Sequence, residues 1–321
     1  MSPRRATLAV MDEQDRIRAG LDTVGDSVRW AQQCFEEAEL YFGHGTDNPW
    51  DEALHLVFGS LQLDLETDPS ILDCKLSDAE LERIVINVRR RVDERIPVPY
   101  LTGRAWFAGL EFRIDRRAII PRSPIAELIE RDFAPWYAGQ GIERVLDLCC
   151  GSGCIGLAVA AWNPGVRVDL ADIDAAALAL AEENRSLLGL ESRVELHQSD
   201  LFDALRGRQY DLIVTNPPYV DAGDLASMPA EYRHEPALAL GSGTDGLDIT
   251  RRIIASAVHF LSPDGLLVGE VGNSWEALES AFPELPFTWI ELEHGGHGVF
   301  VLTARELAER AAVAPKGTSA G

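Results

Sequence analysis

The chain has 321 residues, of which 46% are hydrophobic and 25% charged, and its formal net charge is −23. This length suits two domains, and the acidic balance disfavours a nucleic-acid partner because phosphates would repel it. No apolar run approaches the roughly 20 residues that span a bilayer, and no secretory signal is expected at the charged N-terminus. The spacing of the five cysteines does not suggest a disulfide framework or a metal site. These features together predict a cytoplasmic protein with no metal site and no membrane partner.

The first part of the chain carries helix signals. Apolar residues at three- and four-residue spacing predict an amphipathic helix over 23–42. An Asn-Pro pair opens a second helix over 49–60, and a Ser-Asp-Ala-Glu capping box opens a third over 77–95. The densest basic stretch, Arg89–Arg91, is predicted to be a solvated face of this third helix.

After two prolines, Pro97 and Pro99, the residue pattern changes from one typical of helices to one typical of strands. Residues 106–114 have the pattern of a β-hairpin with its turn near Ala108-Gly109. From Arg144 onward strands and helices alternate, which is typical of an α/β fold with a parallel sheet. The predicted strands are 144–149, 167–172, 193–197, 210–215, 265–271, 287–293 and 298–304, with helices at 154–162 and 175–188 among the segments between them.

The strand predicted over 210–215 runs directly into Asn216-Pro217-Pro218-Tyr219. Two prolines cannot extend a sheet, because each lacks a backbone N–H and has a fixed φ, so the chain must turn out of the sheet at Asn216. The Asn216 side chain and the Pro217 carbonyl then lie at the carboxyl edge, where open α/β sheets bind ligands. Two adjacent acceptors suit an –NH2 group, which predicts a site for a planar amide or an aromatic amine. An ordinary strand-ending turn is the alternative on local chemistry alone.

A glycine turn follows the strand predicted at 144–149. Gly151 and Gly153 permit a tight turn and a close approach of a ligand to the backbone. Asp147, ahead of the turn, stands where a pyrophosphate would otherwise sit, which favours a cationic ligand such as S-adenosylmethionine. Asp172 ends the next strand at about the 20-residue distance typical of a ribose contact. The triplet ending at Asp200 follows the third strand and is a candidate contact to the adenine amino group.

Together these residues resemble the class I S-adenosylmethionine-dependent protein glutamine N5-methyltransferases. The resemblance covers about residues 21–305, and 120–125, 43–53 and 232–236 look like the branch that methylates large-subunit ribosomal protein L3. Release-factor methyltransferases usually carry Pro-Arg-Pro and an acidic pair where this chain has Pro-Arg-Ser-Pro-Ile. The resemblance implies S-adenosyl-L-methionine as cofactor and a seven-stranded, Rossmann-like class I methyltransferase sheet, with a small N-terminal helical domain and a connecting β-hairpin.

The resemblance also implies a domain organisation and a partner. The expected segments are a flexible N-terminus at 1–20, a helical substrate-recognition domain at 21–95, a linker with the hairpin at 96–120, the methyltransferase catalytic domain at 121–305 and a C-terminal tail at 306–321. The expected partner is ribosomal protein L3, free or in an assembling ribosome, without direct sequence-specific contact to nucleic acid.

Roles for individual residues follow from the same resemblance. Asn216 and the Pro217 carbonyl would accept the two N–H bonds of the substrate glutamine, and Tyr219 would pack against the amide plane. The expected substrate site is Asn216, Pro217, Pro218 and Tyr219. The expected cofactor site is Asp147, Cys149, Gly151, Ser152, Gly153, Asp172, Ile173, Asp200, Leu201 and Asn216. Leu201 stands where release-factor relatives tend to have an aromatic residue, which leaves Phe202 as an alternative stacking partner for adenine.

Several residues that could suggest catalysis or metal binding are predicted to have structural roles instead. His234-Glu235-Pro236 is predicted to be a loop brace behind the site rather than a catalytic group. The stretch His294–Gly298 is predicted to be a hairpin turn rather than a metal site. Glu270 and Asn273, after the fifth strand, are further candidates for the pocket lining.

Three alternative functions remain open from the sequence. An adenine or cytosine N-methyltransferase would hold an exocyclic amine much as this site would hold an amide, although the acidic balance argues against it. A release-factor glutamine methyltransferase is the closer alternative. A non-catalytic ribosome-assembly module is the third, and the complete set of site residues argues against it.

Overall fold

The computed structural model describes residues 20–137, 141–293 and 295–313. Most of the predicted flexible N-terminus, His294 and the last part of the predicted tail lie outside the described residues. The chain divides into two compact units, one ending at Gly103 and the other beginning at Arg104. Among the described residues, no helix is both long and apolar enough to cross a membrane.

The first unit is helical, as predicted. Its helices are α1 (Val24–Glu37), α2 (Pro49–Leu61), α3 (Asp78–Asp93) and α4 (Val98–Thr102). Both predicted caps are confirmed, because the Asn48 side chain accepts the Asp51 N–H, and Ser77 and Glu80 form a reciprocal capping box.

Helix α1 ends earlier than its apolar pattern predicts. Glu39 has a left-handed φ of 50°, and the Leu40 N–H donates to the carbonyl of Phe35 at 3.3 Å. This is a Schellman motif, in which a left-handed residue ends the helix and the following apolar residue packs back on it. Because Leu40 is buried in the core of the unit, tertiary packing decides where the helix stops.

The prediction that Arg89–Arg91 form a solvated helix face is wrong for Arg91. Arg91 is only 1% exposed, and its Nε lies 2.8 Å from Oε1 of the buried Glu52. Its Nη2 also donates to the carbonyl of Tyr41 at 2.8 Å. Arg91 therefore links α3 to α2 and to the segment after α1, and removing either charged partner would leave the other buried and unpaired.

The second unit contains a short hairpin and a sheet flanked by helices. The hairpin is β1 (Arg104–Phe107) and β2 (Leu110–Arg113). The sheet strands are β3 (Arg144–Leu148), β4 (Arg167–Asp172), β5 (Val194–Gln198), β6 (Tyr210–Thr215), β7 (Leu261–Glu270), β8 (Thr288–Trp289) and β9 (Val299–Thr303). The helices are α5 (Ile125–Glu130), α6 (Cys154–Trp162), α7 (Ala175–Leu187), α8 (Ala222–Ser227), α9 (Asp248–Ala257), α10 (Trp275–Ala281) and α11 (Ala304–Val313).

The described residues form a seven-stranded sheet in the order β5-β4-β3-β6-β7-β9-β8. Neighbours from β5 to β7 are parallel, and β9 runs antiparallel to both β7 and β8. The strand order reverses between β3 and β6, which opens a crevice at their carboxyl ends. The predicted class I sheet is confirmed, and this crevice is where a ligand is expected.

Two apolar layers cover the two faces of the sheet. On one face, Val145 and Val214 pack with residues of α5, α6 and α7. On the other, Leu146 and Ile213 pack with residues of α9, α10 and α11. Successive side chains of β3 and β6 thus point to opposite layers, and both faces are apolar because helices cover a parallel sheet on both sides.

Strand β7 begins at Leu261 rather than at the predicted residue 265, and three further segments differ from their predicted boundaries. The hairpin belongs to the second unit, where the Trp162 Nε1–H donates to the carbonyl of Ala108 at 2.9 Å. Strand β8 covers only Thr288–Trp289, because it is an edge strand whose continuation leads into the glycines at 295 and 296, both with positive φ. Helix α11 occupies much of the predicted tail, since its Leu307 is buried against the sheet.

Candidate active site

The Asn-Pro-Pro-Tyr loop leaves the sheet at the end of β6, as predicted. Thr215, the last residue of the strand, donates its hydroxyl to the carbonyl of Leu148 at the end of β3, at 2.7 Å. Beyond it, the Tyr219 carbonyl accepts the Ser274 hydroxyl at 3.0 Å. Within the described parts of the chain, no hydrogen bond reaches the Asn216 carboxamide or the Pro217 carbonyl oxygen. These two acceptors are therefore available to a ligand.

The glycine turn lies at the carboxyl end of β3. Gly151 and Gly153 have φ of 54° and 78°, in the left-handed region, and Cys149 has φ of 60°. The Gly153 N–H donates to the carbonyl of Cys150 at 2.8 Å, which closes the turn, and helix α6 begins at the next residue. A glycine here lets the backbone turn tightly, because no Cβ opposes the positive φ.

Asp172 links the glycine turn to the end of β4. Its Oδ2 accepts the Gly151 N–H at 2.8 Å, and its Oδ1 accepts the Asp174 N–H at 2.9 Å. Burial raises the pKa of Asp172, and these backbone hydrogen bonds oppose the rise. Each carboxylate oxygen can accept a second hydrogen bond, so Asp172 keeps capacity for two hydroxyl groups such as those of a ribose.

Two cavities meet at Asn216. The first, of about 210 Å³, is lined by eight of the residues expected at the site: Cys149, Gly151, Asp172, Ile173, Asp200, Leu201, Asn216 and Pro218. The second, of about 310 Å³, is lined by Asn216, Pro217 and Tyr219 of that set. Ile119, Asn216 and Ala239 line both cavities. A donor in the first cavity and an acceptor in the second would therefore face each other across Asn216.

The lining of the first cavity suits a cationic ligand. Of the described residues that line it, Asp172, Asp174 and Asp200 are acidic, and Arg117 and Arg252 are basic. Both arginines are already paired: Arg117 with Asp115 and Glu183, and Arg252 with Asp200 at 2.9 Å. The sulfonium and ammonium groups of S-adenosylmethionine fit this balance of charge, and its ribose fits the free acceptor capacity of Asp172.

Known protein families and solved structures include some that are similar to this chain. A family model described as the methyltransferase small domain matches residues 138–231. Among solved structures, the hMettl16 catalytic domain in complex with MAT2A 3'UTR hairpin 1 is similar, with a TM-score of 0.49 and 19% identity over 71% of this chain and 80% of that chain.

Two curated relatives are much closer in sequence. The ribosomal protein uL3 glutamine methyltransferase of Xanthomonas campestris pv. campestris is 50% identical over 287 residues, which is 89% of this chain and 93% of that protein. The protein of the same name from Neisseria gonorrhoeae is 46% identical over 288 residues, 89% of this chain and 96% of the relative. The chain belongs to this family. The resemblance predicted from the sequence is confirmed, and with it the methyltransferase class and S-adenosylmethionine as methyl donor.

Three residues expected to bind the cofactor of this methyltransferase lie outside the lining of the first cavity: Asp147, Ser152 and Gly153. Asp147 is only 1% exposed, and its Oδ2 accepts the Gly156 N–H at 2.8 Å in the first turn of α6. Ser152 is buried, and its carbonyl accepts Nδ2 of Asn184 at 3.0 Å. These residues lie behind the cavity and bond helices α6 and α7, while Oδ1 of Asp147 accepts no hydrogen bond from the described residues.

Burial raises the pKa of Asp147 to about 7, against the single hydrogen bond from Gly156 and with a further rise from nearby Asp172. Its contribution to stability is therefore fully present below the unfolded pKa of 3.8 and is lost as pH rises to about 7. Replacing Asp147 with asparagine, which does not titrate, is expected to remove this loss, worth about 4 kcal/mol.

The measurement is the thermal midpoint of the wild type and Asp147→Asn at pH 4, 5.5 and 8. The thermal midpoint of the wild type should fall relative to that of the variant as pH rises from 4 to 8. Parallel curves across this range would contradict a raised pKa at Asp147.

The part of the first cavity near Asp200, where adenine is expected, is lined by aliphatic side chains. Asp200 and Leu201 both line it, with Leu201 at a left-handed φ of 51°. Phe202, the expected alternative stacking partner, is buried and stacks instead on Phe260, with ring centroids 4.5 Å apart. The expectation for Phe202 is wrong, because its ring belongs to the apolar layer on one face of the sheet. Ile173, Leu201 and Ile249 are among the apolar residues that line this cavity and could contact adenine.

The predicted brace at 234–236 is confirmed for Glu235. This carboxylate is buried, accepts the Ile120 N–H at 3.0 Å and pairs with Arg122 through Nη2 at 2.7 Å. The Arg122 guanidinium carbon also lies 5.2 Å from the centroid of the Tyr232 ring. Glu235 thus holds the 120–122 segment, where Arg122 lines the second cavity.

Sequence reasoning missed three contributors to the site. Gly156 completes a G-x-G-x-x-G spacing with Gly151 and Gly153, and a Cβ there would lie 2.5 Å from the Leu170 side chain, so α6 could not pack as closely on β4. Asn184 of α7 bonds the backbone of Arg113 as well as Ser152, which attaches the hairpin to the glycine turn. Such contacts join residues far apart in the chain, so only the Gly156 spacing could have been read from the sequence.

His297 is the third. It belongs to the predicted hairpin turn, yet it lines the second cavity, and its Nε2 lies 2.8 Å from Oδ1 of Asn273. Glu270 and Asn273 line the same cavity, as the sequence suggested.

One acidic cluster lies away from both cavities. Asp169, Glu195 and His197 place ligand-type atoms within 4.8 Å of one another. Arg208 Nη1 lies 2.8 Å from Asp169 and 3.0 Å from Glu195, so a guanidinium already supplies the positive charge there. This arrangement is a charge network at the edge strand β5 rather than a site with a free position for a cation.

Proposed function

We propose that this methyltransferase transfers the methyl group of S-adenosylmethionine to the side-chain amide nitrogen (N5) of a glutamine in ribosomal protein uL3. The observation that carries the proposal is the pair of available acceptors, the Asn216 carboxamide and the Pro217 carbonyl, at the junction of the two cavities. When bound in the first cavity, S-adenosylmethionine would supply an activated methyl group: its S–CH3 bond would break as the N–CH3 bond forms, with S-adenosylhomocysteine as leaving group and one amide proton released to water. The glutamine amide occupies the second cavity.

The two acceptors address the main chemical difficulty of the reaction. An amide nitrogen is a poor nucleophile because its lone pair is delocalised into the carbonyl group. Asn216 and the Pro217 carbonyl accept its two N–H bonds, which fixes the amide beside the first cavity. As the nitrogen gains positive charge, its N–H groups become stronger donors, so these hydrogen bonds stabilise the transition state more than the ground state.

The rest of the loop keeps these acceptors in place. Pro217 and Pro218 restrict the backbone because the φ of each is fixed. Tyr219 lines the second cavity and packs against the amide plane. The loop therefore presents a rigid site, and ordering it on binding costs little entropy.

The choice of uL3 as substrate rests on the relatives and on charge. Both curated relatives carry uL3 in their names and match this chain over nearly their full length. The net charge of −23 suits a basic partner such as a ribosomal protein. The test therefore includes uL3 both as the free protein and as part of an assembling ribosomal particle.

The test incubates the enzyme with heavy-methyl S-adenosylmethionine and four acceptors: free unmethylated uL3, ribosomal particles carrying unmethylated uL3, a release factor, and ribosomal RNA. Peptide and nucleoside mass spectrometry then locates the label. The expected result is a heavy methyl group on a glutamine side chain of uL3, in the free protein, the particle or both. Label on the release factor or on a nucleobase, with none on uL3, would overturn the proposal.

A further inference from the structure

Glu270 is a buried carboxylate at the end of β7, beside the second cavity. It is 5% exposed and lines that cavity. Its Oε1 accepts the Tyr219 hydroxyl at 2.8 Å, and its Oε2 accepts the Ser123 hydroxyl at 2.6 Å. One carboxylate therefore joins three elements: β7, the loop after β6 and the segment that leads into α5.

Tyr219 is held at two further points. A Cβ at Gly272 would lie 2.6 Å from Cε2 of the Tyr219 ring, so this glycine lets the ring pack directly on the backbone after β7. The Tyr219 carbonyl accepts the Ser274 hydroxyl at 3.0 Å. The ring and the carbonyl are thus positioned by packing and by Ser274, and the hydroxyl is positioned by Glu270.

The protonation states suit this arrangement. Burial raises the pKa of Tyr219 well above its usual value, and the neighbouring Glu270 raises it further. Tyr219 therefore keeps its proton and donates. Burial also raises the pKa of Glu270, against the hydrogen bonds from Ser123 and Tyr219 and the charge of Arg122. Arg122 itself is paired with Glu235, so the two hydroxyl donors are the direct partners of Glu270.

We propose that Glu270 is a positioning residue for the methylation: it orients the Tyr219 ring against the substrate amide through the hydrogen bond to the hydroxyl. This inference rests on the proposed function and adds a residue to it. With the bond in place, the hydroxyl end of the ring cannot tilt away from the amide plane. Without it, the ring keeps its packing on Gly272 but its hydroxyl end is free to tilt, and the fraction of productive encounters falls.

The main test is a double-mutant cycle with Glu270→Gln, Tyr219→Phe and the double variant. Glutamine offers one acceptor oxygen to two hydroxyl donors, so Glu270→Gln is expected to lower kcat about 10- to 100-fold. Tyr219→Phe removes the same bond from the other side and should lower kcat to a similar extent. The double variant should lose no more than about threefold beyond the larger single loss, because both changes break one interaction.

An effect of Glu270 that does not act through Tyr219 predicts a different pattern. The two losses would then multiply in the double variant, and that result, or wild-type kcat in Glu270→Gln, overturns the proposal. Should Glu270→Gln fail to fold, wild-type kcat in Tyr219→Phe overturns it alone. In every folded variant the Kd for S-adenosylmethionine is expected to stay within about threefold of the wild type, since Glu270 does not line the first cavity.

The matched control is Asp169→Asn. Asp169 is also a buried carboxylate, and its Oδ2 accepts the Tyr210 hydroxyl at 2.7 Å, but it lines neither cavity. This variant should lower the thermal midpoint and leave kcat unchanged. A loss of kcat equal to that of Glu270→Gln would show that any buried carboxylate–tyrosine pair has this effect and would overturn the specific role.

A measurement without protein substrate separates this inference from the proposed function. With ring-labelled tyrosine, the NMR signals of Tyr219 are assigned by their absence in Tyr219→Phe, and the ring-to-Gly272 nuclear Overhauser contacts and ring chemical shifts are compared between the wild type and Glu270→Gln. Weakened contacts and shifted ring signals in the variant support the proposal, and unchanged ones overturn it. Failure of the wild type to methylate uL3 would instead overturn the proposed function.

Discussion

Replacing Asn216 with alanine is expected to lower the rate of glutamine methylation by about 10²- to 10³-fold, the effect of removing one preorganised hydrogen bond to a transition state. The carboxamide lines both cavities, and within the described residues it makes no protein hydrogen bond that the substitution would break. The loss should therefore fall on methyl transfer rather than on folding. Single-turnover methylation of uL3 and isothermal titration with S-adenosylmethionine measure the two quantities separately.

The control for this variant is Asn163→Ala, the same substitution at the end of α6 and outside both cavities. It should keep the wild-type rate and affinity. The Kd of Asn216→Ala for S-adenosylmethionine should stay within about threefold of the wild type, because the residues expected to hold the cofactor, Asp172 and Asp200, are unchanged. Unimpaired turnover in Asn216→Ala would contradict the assignment of the amide site.

Replacing Asp172 with alanine is expected to weaken binding of S-adenosylmethionine by at least about 100-fold, the combined effect of losing two charge-assisted hydrogen bonds. The carboxylate also accepts the Gly151 N–H at 2.8 Å, so its removal frees the glycine turn that lines the cavity. At saturating cofactor, kcat should recover most of its wild-type value because the amide site is untouched. Isothermal titration gives the affinity, and steady-state assays over cofactor concentration give kcat.

Asp174→Asn tests whether charge alone explains such a result. Asp174 lines the same cavity and caps α7, where its Oδ1 accepts the Ala176 N–H at 2.8 Å. Asparagine removes the charge and keeps the cap oxygen, so affinity should change by less than about fivefold. Equal losses in the Asp172 and Asp174 variants would contradict a specific ribose contact and indicate a general electrostatic effect.

Much of the architecture could be predicted because it depends on local chemistry. The strands β3, β4, β6 and β7 contain largely buried runs between turn signals, and a parallel sheet covered by helices requires such runs. The caps at Asn48 and Ser77 depend on residues within three positions, and both are present in the structure. The Asn-Pro-Pro-Tyr turn was predictable for the same reason, since proline restricts its own backbone.

Features that depend on distant partners were predicted poorly. Arg91 looked like part of a solvated basic face, yet it pairs with Glu52 in the core. Asp147 looked like a cofactor ligand, yet its carboxylate faces the first turn of α6. Phe202 looked free to stack on adenine, yet it stacks on Phe260. In each case the side chain could face a ligand, solvent or the core, and only packing against another element decides among them.

The sequence by itself determined the α/β class, the glycine turn, the order of the acidic residues at the strand ends and the turn that leaves the acceptors of Asn216 and Pro217 at the edge of the sheet. These features follow from backbone restriction and from the short range of capping and turn interactions. Only the tertiary structure decided that two cavities meet at Asn216, that Glu235 and Glu270 hold the residues around the second one, and that Asp147 stands behind the first. The physical reason is that a cavity and a buried hydrogen bond are made by segments far apart in the chain, whose approach depends on the packing of the whole sheet and its helices.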